Sequence, residues 1–553
     1  MRFLSPRKGL IFLWGVALFA WWIRYHPPGV DLLVFDDDAR QHVYWTARFQ
    51  DPTLFPDDLL TSFISSRLFD PPGYRLIYQL GVQFMDPLPF SQLLTLLLLL
   101  LSLWLLDQIS KEIIPHPRGR LFLGGLFLFF SLYDASGGFP RSFVFPLLLL
   151  FLLLLQKRAF LWAAATVLLQ AVLYPPIILN TLALAGWDLL RRLIQGPRDR
   201  RWLRDFLFLA AVIAVVALLL HSIYGEVDRG TMGKQVTLEE ARAMPEFHPG
   251  GRSSFFRDNL VSYLLIGRSG IGAIHLIGFA IILATMGLVA GPRAIRLPSL
   301  ALHLCWTSLL LFALAHLVLF RLHLPSRYTL FTLPLAFMLA IGDSTGGFLE
   351  ALKPAWARLR RRIPSSAARR WVGWGAFGIL LLVYTYLQGH VICRFDRQVV
   401  ALEPVDREML AFLESLPKES LVAGHPMDMD SVPLLSRRPV LANRELSLPY
   451  YMRYYRQVRR RLMDMLGAYY ARRWEDVTAF VERYRVSAMV VRKTYFEPPF
   501  LEGRIYLEPF NSAIKAGWEG RTGGFVLADP PRELRCFENE RYVVLCWAKK
   551  AGG

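Results

Sequence analysis

Apolar positions along the chain fall in near-continuous blocks, not at the spacing of a single helix face. Blocks rich in Leu, Phe, Ala and Trp lie near 9–23, 90–106, 120–133, 142–155, 159–173, 176–190, 206–222, 271–290, 298–320, 328–342 and 372–388. A segment that is apolar all round must be enclosed by protein or lipid. The eleven blocks predict about eleven transmembrane helices, to within one or two, because several are shorter than the roughly 20 residues a perpendicular span needs. Residues 1–388 therefore read as a polytopic α-helical membrane domain with two long polar connections, 24–89 and 223–270.

From about 391 the pattern changes. EPVDREMLAFLESLP reads as an amphipathic helix, SLVAG as a buried strand and RPVLAN as a second strand. A long helix over 449–472, a helix in WEDVTAFVERYRV, a strand in SAMVV and a hairpin turning at Glu538-Asn539-Glu540 follow. Alternating strands and helices predict a soluble α/β domain over 391–553.

Composition agrees with a membrane protein. Of 553 residues, 54% are hydrophobic and only 19% charged, which excludes disorder, collagen and disulfide-rich scaffolds. The net charge of +19 suggests a nucleic-acid partner until its distribution is read. The N-terminus and alternate connections hold 23 Lys and Arg against 7 Asp and Glu, and the opposite connections hold 14 against 16. By the positive-inside rule this asymmetry places the N-terminus in the cytoplasm and the C-terminal domain outside, in a bacterial inner membrane. The charge encodes topology, and no nucleic-acid partner is expected. The first block ends in AWWIRYHPP, whose bulky Trp21 and Trp22 suit an interface better than a cleavage site, so an uncleaved span is expected.

Of four cysteines, Cys305 lies in an apolar block and reads as packing. Cys393, Cys536 and Cys546 fall in the external tail, where one disulfide can form between two of the three.

The sharpest chemical feature is VFDDDARQHVYW, just after the first span. Adjacent carboxylates at Asp36, Asp37 and Asp38 oppose one another's ionisation, and proximity to the membrane adds desolvation, so at least one pKa is expected to rise. Such a group serves as a general base near neutral pH, and an acid pair holds a hard divalent cation. Asp38 with Gln41 also has the spacing of a capping box opening a helix over 39–49, which would set Arg40 and Tyr44 on one face. The positive end of that helix would favour a phosphate.

A short cytoplasmic start, a first span, an immediate external acidic motif, a long first external loop, many further spans and an external C-terminal domain together resemble the GT-C class of membrane glycosyltransferases. In that class the first external loop carries a paired-acid motif, matched here by Asp36-Asp37-Asp38. The WWD-type motif of oligosaccharyltransferases is absent from the tail, so transfer of a single sugar is expected over attachment of a glycan to asparagine. The resemblance implies a polyprenyl-phosphate-linked sugar as donor and an external glycan, lipid or protein as acceptor. Asp36 or Asp37 would be the general base, with inversion at the anomeric carbon. Arg40, Arg141, Arg321 and Arg327 would grip the donor phosphate, and Tyr44, His323 and Tyr328 would line the pocket. Asp36 and Asp38 would hold Mg2+ or Mn2+. No nucleotide cofactor is expected, since no Gly-rich phosphate loop is present.

Arg141 sits in the turn YDASGGFPRSFVFP and Arg321, His323, Arg327 and Tyr328 in RLHLPSRY, where Arg and Tyr also serve as plain interfacial anchors. The loop 223–270 reads equally as a cover over a lipid donor or entry for an acceptor and as a solvated connection, and Asp428-x-Asp430 as an ordinary acid-rich turn in preference to a cation site. The Tyr/Arg-rich helix over 449–472 reads either as a sugar-stacking or membrane-facing surface or as a docked amphipathic helix. Two competing functions remain: a lipid or polysaccharide transporter or flippase, and a non-catalytic scaffold for envelope assembly. Against transport, Asp107 and Asp188 lie at the cytoplasmic ends of their blocks, and His303 and His316 are the polar candidates left within a span.

Overall fold

The computed structural model describes residues 6–196, 200–230, 232–272, 274–320, 324–354, 399–518, 520 and 522–547. Ten of the eleven apolar blocks fall on helices, and the eleventh, 372–388, lies outside the described residues. Among the described residues, Pro87–Ile113, Arg200–Ile223, Ser299–Leu317 and Pro325–Ala351 are long and apolar enough to cross a membrane by length and composition. Shorter apolar helices are Pro140–Gln156, Phe160–Leu173 and Leu276–Ala290. Helices Pro6–Tyr25, Pro87–Ile113 and Pro117–Ala135 each open on proline, whose missing N–H and fixed φ suit the first helical position.

The chain packs as two compact units, each assembled from separate segments. The first comprises Met1–Val30, Gln92–Leu220 and Leu260–Ala401. Its helices turn large apolar side chains outward, with Trp162 and Leu218 each 71% exposed and Leu288 87% exposed. A water-facing monomer does not expose such a surface, whereas lipid accepts it. Inside this unit Phe127 meets Phe145 edge-on at 5.0 Å, and Phe145 meets Phe331 at 5.9 Å. Several buried polar groups are paired: Asn180 donates to the Tyr328 carbonyl, Thr181 to Gln170 and Ser308 to Thr332. Helices Pro117–Ala135 and Thr332–Ala351 pack at two glycines, Gly119 and Gly342.

The second unit comprises Asp31–Ser91, His221–Asn259 and Leu402–Gly553. Thus most of the two polar connections, 24–89 and 223–270, packs in one unit with the C-terminal segment. Strands β1 (Leu33–Asp36), β2 (Val422–Gly424), β3 (Ala488–Arg492), β4 (Arg535–Glu538) and β5 (Tyr542–Cys546) belong to it. The last four form a sheet in the order β2-β3-β5-β4, with β2 parallel to β3 and the remaining pairs antiparallel. The hairpin between β4 and β5 turns where expected, and Cys536 and Cys546 are disulfide-bonded across it. RPVLAN forms a single bridge, Val422 to Val440, in place of the strand expected there, and its neighbours Leu441 and Ala442 are buried.

Helices Pro404–Ser415, Met452–Tyr469 and Trp474–Tyr484 occupy the stretches that read as amphipathic. The helix Met452–Tyr469 buries Tyr454, Tyr455, Val458, Leu462, Met465 and Leu466 on one face. Phe63, from the first long connection, stacks flat on Tyr454 at 3.6 Å between centroids. The second connection is equally built in. Thr237 and Glu240 form a reciprocal capping box on the helix Leu238–Ala243, and Val236 N–H donates to the Tyr450 carbonyl.

Candidate active site

Strand β1 carries Val34, Phe35 and Asp36 into the interior, with Asp36 4% exposed. The chain then turns, and a single helical turn, Ala39–His42, follows with Asp38 at its N-cap position. The helix expected over 39–49 is replaced by this turn and a 3-10 helix over Tyr44–Phe49. The capping box expected of Asp38 and Gln41 is also absent: the Asp38 side chain makes no cap bond, and Gln41 donates instead to Glu445 Oε2 at 2.5 Å. Glu445 is the stronger draw because it is an ionised acceptor held beside three arginines.

Around Glu445 a compact charge network forms within the second unit. Arg252 Nη2 donates to Glu445 Oε2 at 3.0 Å, and Arg444 Nη2 to Oε1 at 2.5 Å. Arg40 lies 3.7 Å from Glu445 and 3.6 Å from Asp430, and forms an ion pair with Asp37. Arg444 Nε lies 3.4 Å from Asp430 and its Nη2 3.9 Å from Asp37. Asp430 accepts the Glu445 backbone N–H at 2.9 Å. Three arginines thus face four carboxylates, those of Asp37, Asp38, Asp430 and Glu445.

This excess of negative charge in a buried setting separates the acids. Burial, together with Glu445 and Asp38, pushes the Asp37 carboxyl up to about 7 against the opposing pull of Arg40 and Arg444. Burial also raises Asp430 despite Arg40. Glu445 is buried too, yet Arg252, Arg40 and Arg444 hold it below the usual carboxylate range. One carboxylate is therefore anchored as an anion, and a neighbour is poised to exchange a proton near neutral pH.

Oxygens of Asp37, Asp38 and Glu445 lie within 4.8 Å of one another, an all-oxygen set that suits a hard divalent cation. Asp36, expected to share a cation with Asp38, is not among the three. Tyr44, expected in the pocket, is buried and pairs its hydroxyl with Thr61 Oγ1 at 3.0 Å. Arg40, expected at a donor phosphate, is turned onto carboxylates.

The other expected residues belong to the first unit. Arg141 follows a turn in which Gly137 and Gly138 adopt φ of 93° and 63°. A side chain at Gly137 would run into the Phe139 ring, over which the Arg141 guanidinium lies at 5.1 Å. Ser142 closes the turn on the Ser136 carbonyl, and Arg24, 3% exposed at the end of the first helix, donates to Ser136 Oγ at 3.3 Å. Arg327 and the buried Tyr328 sit in the 3-10 turn Pro325–Tyr328. Arg321 and His323 lie outside the described residues.

Four residues of the network escaped the sequence reading: Arg252, Asp430, Arg444 and Glu445. Asp430 carries a signal, the Asp-x-Asp of HPMDMDS after a predicted strand, but one that an ordinary turn shares. Arg444 and Glu445, in LANREL, carried none.

No protein-family model and no curated protein matches the sequence. Solved structures do match in fold. ArnT from Cupriavidus metallidurans bound to undecaprenyl phosphate aligns with a TM-score of 0.50 at 13% identity, over 98% of this chain and 99% of that one. The archaeal oligosaccharyltransferase AglB from Archaeoglobus fulgidus, in complex with an inhibitory peptide and a dolichol-phosphate, gives 0.48 at 10% identity, over 92% and 72%. The arabinofuranosyltransferase AftD from Mycobacteria gives 0.47 at 17% identity, over 89% of this chain and 35% of that one, so this chain spans little more than a third of AftD. These neighbours are GT-C glycosyltransferases, and the chain has the fold of that class.

Proposed function

We propose that the protein is a membrane glycosyltransferase that moves a sugar from a polyprenyl-phosphate donor to an acceptor hydroxyl outside a bacterial inner membrane. The observation that carries this reading is the joining, in a chain of GT-C fold, of Asp37 and Asp38 with Glu445 under Arg40, Arg252 and Arg444. ArnT, whose fold aligns along the whole chain, was solved with undecaprenyl phosphate, which supports a lipid-phosphate donor.

In this reading residues 1–388 form a membrane domain of about eleven spans with a cytoplasmic N-terminus, and 391–553 a soluble domain outside. Asp37 takes the proton of the acceptor hydroxyl as the new bond forms between that oxygen and the anomeric carbon. The bond from the anomeric carbon to the donor phosphate breaks, the electron pair leaves with the phosphate, and the configuration inverts. Arg141, Arg321 and Arg327 are the residues assigned to the charge that develops on the phosphate, since guanidinium forks match its oxygens. Arg40 holds Asp37 in place, and Glu445 fixes Arg40. Asp37, Asp38 and Glu445 would hold a divalent cation, Mg2+ or Mn2+, which would supply positive charge for a substrate phosphate.

The reading is tested by incubating the purified protein with polyprenyl-phosphate sugars and candidate acceptors, with and without chelator. Sugar transfer by the wild type that is lost in Asp37→Asn supports it. Equal transfer by the two proteins removes Asp37 as the base.

A further inference from the structure

A second site of different chemistry lies in the second unit, built from residues the acid network does not use. Helices Met452–Tyr469 and Trp474–Tyr484 flank an open surface cleft of about 420 Å³ lined by Gln457, Arg460, Arg461, Arg483 and Tyr484. That volume falls within the roughly 300–1,000 Å³ of small-ligand pockets. Gln457, Arg460 and Arg461 share one side of the first helix by their three- and four-residue spacing, opposite the buried tyrosines and leucines. Arg483 and Tyr484 end the second helix, where a cation is also favoured by the helix dipole.

Three of the lining side chains are already held in place. Asp464 accepts from Arg483 Nη1 at 3.2 Å and from the Tyr484 hydroxyl at 2.7 Å, which fixes both side chains. Arg461 donates to the Leu441 carbonyl at 3.2 Å. Among the described residues Arg460 and Arg461 have no carboxylate within 4 Å, though Arg461 acts on the buried Asp58, so three guanidiniums line the cleft with Asp464 and Asp58 as the neighbouring acids. Helices hold exposed arginines in many proteins, but convergence in a concavity lined also by a phenol ring and a carboxamide is a recognition pattern. The guanidiniums suit a carboxylate or phosphate, and the phenol and amide suit hydroxyls. A bilayer surface is poorly matched, because it needs a convex face with apolar residues beside the charges, and none of the five lining residues is aliphatic.

We propose that this cleft binds an anionic saccharide, its carboxylate or phosphate held by Arg460, Arg461 and Arg483 and its hydroxyls by Gln457 and Tyr484. The inference does not require the chain to be a transferase.

The test is calorimetric titration of the purified full-length protein with tetragalacturonate, its methyl ester, a phosphodiester-linked tetrasaccharide and inorganic phosphate, with phosphatidylglycerol vesicles in a parallel sedimentation assay. At least one anionic tetrasaccharide is expected to bind, tenfold or more tightly than the neutral ester and than inorganic phosphate, and more weakly as salt is raised. Arg460→Gln should weaken that binding at least tenfold and Arg460→Lys by less, with unchanged melting because the side chain is exposed. Gln457→Ala, also at an exposed position, should weaken it severalfold. Binding of neither anionic chain, equal binding of the ester, equal binding of inorganic phosphate, binding indifferent to Arg460→Gln, or uptake by the vesicles alone would each overturn the proposal.

Discussion

Arg252 and Glu445, 193 residues apart in sequence, meet at 3.0 Å, and the same guanidinium also donates to the backbone carbonyls of Arg444 and Glu445. The bond ties the second polar connection to the C-terminal segment and orients the carboxylate to which Arg40 and Arg444 also turn. Glu445→Gln takes away the carboxylate that Arg252 pairs with, while Arg40 and Arg444 keep Asp37 and Asp430. The expected cost is about 3–5 kcal/mol, the range for breaking a buried ion pair. Chemical denaturation of the purified variant, followed by tyrosine and tryptophan fluorescence, measures it.

Asp37→Asn separates chemistry from folding. It removes a charge that burial already disfavours, so melting should shift little, while loss of a general base should lower the transfer rate about 10²–10⁴-fold. Single-turnover kinetics on a lipid-linked sugar donor give the rate, and a melting curve on the same sample gives the stability.

Much of the fold is legible in the sequence because continuous apolar blocks, proline helix starts and an alternating tail are local signals. Ten of the blocks are helices, and the hairpin turns at Glu538–Glu540 as expected. The candidate site is legible only in its first-loop half. Asp37 and Asp38 stand out as adjacent acids, whereas Glu445 looks like any residue of a polar loop. Its meaning arises from Gln41, Arg40 and Arg252 reaching it from far along the chain, which spacing does not encode. The capping box failed for a related reason: Gln41 had a tertiary acceptor stronger than its own helix end.

Close helix approach in the first unit rests on glycine. A Cβ on Gly119 would lie 2.2 Å from the Gly342 carbonyl oxygen, a backbone atom that cannot swing aside. Gly119→Ala should therefore push apart helices Pro117–Ala135 and Thr332–Ala351, at a cost of about 1–3 kcal/mol, as for overpacked cores. Gly125, on the same helix, has nothing within 4 Å of a built Cβ, so Gly125→Ala should be neutral. Thermal melting in detergent distinguishes the two.

His425 gives the second unit an acid-sensitive element. It is fully buried, donating from Nε2 to the Ile505 carbonyl at 3.0 Å and accepting the Met427 N–H on Nδ1, so both ring nitrogens are satisfied in the neutral form. Burial, aided by Arg492, pulls its pKa from 6.5 down to about 3. As pH falls below 6.5 the unfolded chain gains a proton that the folded one refuses, so this contribution to stability is lost progressively between 6.5 and 3. Asp428, raised to about 6 by burial, acts in the opposite sense between 6 and 3.8. The effect of His425 therefore appears as a difference: relative to wild type, His425→Gln should lose less stability on acidification from pH 7 to 5. Parallel denaturation curves across that range check it, and identical pH dependence in the two proteins would show that His425 is not the group responsible.

Cys536 and Cys546 close a ten-residue separation across the β4–β5 hairpin. Cys536→Ser with Cys546→Ser should cost about 2–3 kcal/mol, the chain-entropy scale for a loop of this size. The loss should appear in denaturation of the oxidised wild type against the double variant and vanish when both are measured in reductant.

The most direct test of the transferase reading is mass spectrometry of polyprenyl-phosphate lipids and envelope glycans in the native host. Three strains are compared: wild type, deletion, and deletion complemented with Asp37→Asn. The expected result is accumulation of one polyprenyl-phosphate sugar and loss of that sugar from a glycan, lipid or protein in both the deletion and the Asp37→Asn strain. An unchanged lipid pool and unchanged glycans in the deletion strain would contradict a transferase and leave the transport and scaffold readings to be pursued.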